Sequence, residues 1–65
     1  MWAKIQENIA NVYYNMGKNS KDNSAFADAI DYYKSALKIY ESKKMHNEVS
    51  IVNTSMDKVL KAWKG

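Results

Sequence analysis

Few side chains in this 65-residue chain could do chemistry, and their types and spacing argue against it. His46 is the only histidine. It sits beside Met45 in a predicted connector, with no cysteine anywhere in the chain and no clear acid partner near it in sequence. Asp28 and Asp31 lie one helical turn apart, but two carboxylates without a third ligand or a histidine make a poor metal site. They fit better as solvated groups in the N-terminal half of a helix, where negative charge is favourable. The serines have no base placed with triad-like logic, and no glycine-rich phosphate cradle is present. Catalysis needs several convergent groups with tuned ionisation. The expectation is a chain with no enzyme activity, no metal and no cofactor.

Composition narrows the remaining classes. A chain this short forms at most one small domain, only marginally stable unless stapled, liganded or oligomeric. Without cysteine it is not stapled. Proline is absent and glycine occurs only at positions 17 and 65, so long stretches carry no helix breaker. With 46% hydrophobic residues a core can form, and the expectation is an all-α fold. The net charge of +3 comes from ten lysines with no arginine, scattered along the chain. Arginine's planar fork is the preferred tool for bidentate phosphate and guanine contacts, so nucleic-acid binding is not expected. Seven asparagines and no arginine look like a natural or natural-derived sequence, because idealised helical designs avoid interior asparagine. No secretory signal follows Met1-Trp2-Ala3-Lys4, and no apolar run is long enough to cross a bilayer. These readings lead us to expect an intracellular, cytoplasmic protein with no membrane partner.

The elements follow from apolar periodicity. Trp2, Ile5, Ile9, Val12, Tyr13 and Met16 predict a first helix over about 2–16, closed by Gly17. Lys18 to Ser24 read as a polar turn, with Ser24 capping a second helix over about 25–43. That helix has two apolar faces: Phe26, Ile30, Tyr33, Leu37 and Tyr40 on one, and Ala25, Ala29, Tyr32, Ala36 and Ile39 on the other. Two faces require two neighbours. A third helix over about 47–64 supplies the second one, through a seam of Met45, Val49, Val52, Met56, Val59 and Trp63. Asn47 is its candidate cap, Lys61 and Lys64 complement its C-terminal dipole, and Gly65 is the candidate terminator.

These residues resemble a tetratricopeptide repeat, whose pattern pairs W-x2-L-G-x2-Y on one helix with A-x3-F on the next. Ile9, Ala10 and Tyr13 fall at the L, G and Y spacing, Ala29 and Tyr33 fit A-x3-F, and Ala36-Leu37 resemble what usually follows. Gln6 replaces the tryptophan and Glu41 the closing proline. Ala29 follows Tyr13 by 16 residues, against about nine in the usual repeat of roughly 34. Residues Asn19 to Ala25 are the simplest place for the excess. Ile51-Val52-Asn53 echoes Ile9-Ala10-Asn11, as the start of a following repeat would. The resemblance therefore implies an antiparallel helical hairpin plus a third helix in a TPR-like three-helix bundle spanning 1–65.

In that family the first helices of successive repeats line a groove for an extended peptide or a partner helix. Carried over by pattern, the groove of helices 1 and 3 includes Glu7, Asn11, Tyr14 and Asn15. Asn11 falls where the family often uses asparagine to hold a peptide backbone. Glu7 takes the place of a lysine that in some members grips a C-terminal carboxylate, so that clamp is not expected. The implied partner is a protein or peptide. A second resemblance is to the microtubule-interacting-and-trafficking (MIT) domain, carried by Ala29-Ile30-Asp31-Tyr32-Tyr33 and Met56-Asp57-Lys58-Val59. It implies a trafficking adaptor that docks helical tails. A third alternative is an engineered or minimal helical scaffold that self-associates without a ligand. The uncovered apolar ends of a lone repeat and a long polar hinge also allow a homodimer, including one that exchanges helices.

Overall fold

The computed structural model describes residues 2–64. It holds three α-helices, α1 (Trp2–Ser20), α2 (Asn23–Ser42) and α3 (His46–Lys64). Gly65 and the side chain of Lys64, both expected to help finish α3, lie outside what is described. α1 and α2 form an antiparallel hairpin. α3 returns along α2, so α2 is packed on two sides as its two apolar faces required. α1 and α3 scarcely touch each other. The result is an open layer with extents of 34 × 18 × 12 Å.

The helix ends differ from expectation for a local reason. α1 does not stop at Met16 and Gly17 does not terminate it; the helix runs on to Ser20. Lys21 takes the left-handed conformation (φ 52°), and the Asp22 amide donates back to the Gly17 carbonyl at 3.2 Å. That six-to-one bond closes a helix even without glycine at the turn. Asp22, not Ser24, is the N-cap of α2: its carboxylate accepts from the Ser24 amide at 3.0 Å and the Ser24 hydroxyl at 2.8 Å. Most of the expected long hinge is therefore helical, and the connection is only Lys21-Asp22. A connection this short does not supply the long hinge expected to permit helix exchange. α2 ends the same way as α1. Lys44 sits at φ 57°, while the Met45 and Lys44 amides donate to the carbonyls of Tyr40 and Glu41 at 2.9 and 3.0 Å. α3 begins at His46, directly after Met45.

Packing between α1 and α2 sets bulk on one helix against small residues on the other. Phe26, Tyr33 and Tyr40 recur every seven residues, two turns apart on one face of α2, and all three are buried. They lie over Gly17, Asn11 and Glu7 of α1. A Cβ on Gly17 would fall 2.7 Å from the Phe26 ring, so close approach, and not a turn, is what requires glycine there. Ala10, Ala29 and Ala36 are fully buried, and their small side chains let the helices come together. On the other side of α2, Val52 and Val59 of α3 are completely buried, while Val49 and Met56 are half-buried. That part of the expected α3 seam holds.

The expected apolar seam of α1 does not. Its core face is Ala3, Gln6, Glu7, Ala10 and Gly17. Trp2, Ile5, Val12 and Met16 are exposed, Trp2 and Val12 by more than half (62% and 57%). Tyr13 lies between the two faces and stacks on Tyr32 of α2, with centroids 5.5 Å apart and rings 7° from parallel.

Candidate functional site

Glu7, Asn11, Tyr14 and Lys18 share one side of α1, spaced three and four residues apart. This side lies against the buried rings of α2. At one end the Tyr40 hydroxyl donates to Glu7 Oε1 at 3.0 Å. The Glu7 side chain is almost wholly buried, with Lys4 Nζ 3.9 Å away on the solvent side. In the middle the Tyr33 hydroxyl donates to Asn11 Oδ1, with Ser55 of α3 close enough to influence its ionisation. One buried phenol thus ties α2 to α1.

Further along, Tyr14 is half-buried and tilted against Phe26 with centroids 6.3 Å apart. Lys18 Nζ lies over the Tyr14 ring, 5.1 Å from its centroid, a cation–π contact. The row then opens into a cleft of about 510 Å³ lined by Gly17, Lys18, Lys21, Asn23, Phe26 and Ala62. Asn15 is exposed one turn beyond Asn11, on the outer edge of the row.

Ionisation in the row suits structure better than acid–base work. Burial pushes the Tyr33 phenol above its usual range, and nearby Glu7 and Tyr14 add to this while the Ser55 hydrogen bond opposes it. Burial likewise raises Tyr40, helped by its bond to Glu7 and the charges of Glu7 and Glu48. Both phenols stay protonated donors at neutral pH. Tyr33 holds the Asn11 carboxamide by its oxygen. The two N–H donors of that exposed amide have no intramolecular acceptor among the described residues.

The four residues expected at the site are therefore placed unequally. Asn11 is exposed and Tyr14 half-buried beside the buried rings of α2, Glu7 is buried as a hydrogen-bond acceptor, Asn15 is exposed, and none of the four lines the cleft. Sequence reading missed Tyr33 and Tyr40 as partners of this row, having assigned both tyrosines to an apolar face. The signal was the phenols' need for acceptors once buried, set against two polar residues four apart on the facing helix. Among the described residues, no three histidines, cysteines or acids gather as a metal site would need. No described helix is long and apolar enough to cross a membrane.

Fold and site together define an all-α three-helix bundle with a polar row along one side of α1. No protein-family model, curated protein or solved structure matches the chain.

Proposed function

We propose that this chain is a non-enzymatic protein-interaction module of the tetratricopeptide type, taking an extended peptide or a partner helix along the groove between α1 and α3. The observation that carries the reading is the set of Asn11. Its oxygen is fixed inward by Tyr33, which leaves the amide nitrogen on the exposed side as an oriented donor for a peptide carbonyl. Tyr14 beside it offers a large, half-buried aromatic surface at low entropic cost. Glu7 acts beneath them by fixing Tyr40, and Asn15 extends the polar edge.

The test is a titration of the isotopically labelled protein with a peptide library, following backbone amide shifts. Shifts should gather on α1 around Asn11 and Tyr14 and on the facing side of α3. Asn11→Asp is the informative variant, because a carboxylate still accepts from Tyr33 but no longer donates. It should fold normally and bind about tenfold more weakly, equivalent to about 1.4 kcal/mol. Equal binding by Asn11→Asp, or shifts confined to surfaces away from this groove, would refute the reading.

A further inference from the structure

The cleft at one end of the bundle brings basic side chains and apolar surface together, and the peptide reading leaves it unused. It lies where the end of α1, the start of α2 and the last turns of α3 meet. Its volume of about 510 Å³ is within the range of small-molecule sites. We propose that this cleft binds a small organic anion, a carboxylate or phosphate head carried on an aromatic or aliphatic body.

Three features select that class. The first is charge of one sign. Lys18 and Lys21 line the cleft, and neither has a carboxylate partner among the described residues. The acids of the flanking segments are engaged elsewhere. Asp22 turns its carboxylate to the amide and hydroxyl of Ser24 at 3.0 and 2.8 Å, and Asp57 pairs with Lys61 at 3.2 Å. An anion entering the cleft therefore meets two cations and no lining carboxylate. Lysine's ammonium is a compact charge without arginine's fixed fork, so carboxylate and phosphate heads both suit it.

The second is placement. Lys18 Nζ rests over the Tyr14 ring, 5.1 Å from its centroid. One cation is thus held before any ligand arrives, which lowers the ordering cost of binding. Lys21 is fixed through its backbone, as the left-handed residue (φ 52°) in the turn closed by the Asp22 amide on the Gly17 carbonyl. Lys44 takes the same conformation (φ 57°) in the turn at the opposite end, beside Lys43, and neither of these lines the cleft.

The third is the floor. Gly17 has no side chain, and the Phe26 ring lies 2.7 Å from where its Cβ would be. With Ala62, the floor is a ring, bare backbone and a methyl group. Such surface is covered by an aromatic or aliphatic body, whereas a bare inorganic ion leaves it in water.

The test follows amide shifts of the isotopically labelled whole chain as phenylbutyrate is added. Shifts should centre on Gly17, Asn23 and Ala62 and saturate with a dissociation constant of about 1 mM. Phenyl phosphate should move the same amides. The uncharged phenylbutyramide and the bodiless inorganic phosphate should each bind about tenfold more weakly. Lys18→Gln combined with Lys21→Gln should weaken phenylbutyrate about tenfold, with the helical signal unchanged because both side chains are exposed. Lys43→Gln combined with Lys44→Gln removes the same charge from the other end and should leave binding within about twofold. Ala62→Phe fills the cleft without touching its charge and should abolish binding. Asn11→Asp should not alter it, which separates this site from the peptide reading. The absence of saturable shifts at these amides below about 20 mM overturns the proposal. So does an equal loss in the two lysine pairs, which would mean attraction to net charge alone, and so does binding that survives Ala62→Phe.

Discussion

The two faces of α1 invert the usual arrangement. The face turned to α2 carries alanine, glycine, glutamine and glutamate, while tryptophan, isoleucine, valine and methionine face outward. On α2 the bulk is where expected, with Phe26, Tyr33 and Tyr40 buried. Close-packed interiors reward complementary volume as well as apolar content. Three rings from one helix need small or hydrogen-bonding positions on the other, and Gly17, Asn11 and Glu7 supply them. Had α1 turned its large residues inward, Met16 and Val12 would compete for the same space as those rings. The bulk of α2 thus fixes the rotation of α1 and leaves its apolar strip uncovered.

The comparison is tested most strongly by cutting bulk from each side. Tyr33→Ala removes a side chain that is 1% exposed and hydrogen-bonded across to α1. Large-to-small changes of buried aromatics cost about 3–5 kcal/mol. For a domain of this size each kcal/mol lowers the melting temperature by roughly 4–8 °C, so Tyr33→Ala should be largely unfolded at ambient temperature. Val12→Ala also removes apolar atoms, yet from an exposed position. At dilution it should stay within about 0.5 kcal/mol of the parent. Thermal melts at low concentration decide the matter, and similar losses in the two variants would mean that α1 buries the other face.

A smaller effect comes from adding bulk where the inner face has none. Gly17→Ala should gain up to about 1 kcal/mol in helix propensity. The added methyl meets the Phe26 ring at 2.7 Å, and overpacking of this kind costs about 1–3 kcal/mol. Phe26 is buried and Tyr14 leans on it, so the ring has little room to yield. The net change should be destabilising by about 1 kcal/mol, read from denaturant unfolding. A stabilised Gly17→Ala would show that α1 and α2 stand further apart.

Some of this was legible in the residues alone. Two apolar faces on the second helix required neighbours on both sides, and Ala29, Ala36, Val52 and Val59 are buried as their spacing demanded. Helix number and order followed from apolar periodicity and the polar stretches that interrupt it. The rotation of α1 did not, because apolar periodicity reports which side of a helix is apolar and not which side a neighbour's rings can fill. Gly17 misled for a related reason: a glycine between an apolar run and a polar one resembles a terminator, yet here it admits Phe26. The row of candidate site residues was visible only as a pattern on α1. Its pairing with Tyr33 and Tyr40 depends on helix register, which the two-residue turn sets.

That turn gives the finest test, since it sets the register of α1 along α2. Asp22 caps α2 through Ser24, and those hydrogen bonds, the side-chain one first, hold its carboxyl below the usual value of 3.8. A carboxyl whose folded pKa is depressed adds stability above its unfolded pKa. That contribution is lost as pH falls from the unfolded value through the folded one. Asp22→Asn keeps an equally good capping oxygen without the titration. It should match the parent closely near neutral pH and lose less stability on acidification through that window. Asp22→Ala should be less stable than both at neutral pH, with a flattened acid response like that of the asparagine variant. Melts at a series of pH values separate the three. If the parent and Asp22→Asn fall together in acid, the carboxylate's charge adds nothing to the turn, and the hydrogen bonds alone set the register of α1 on α2.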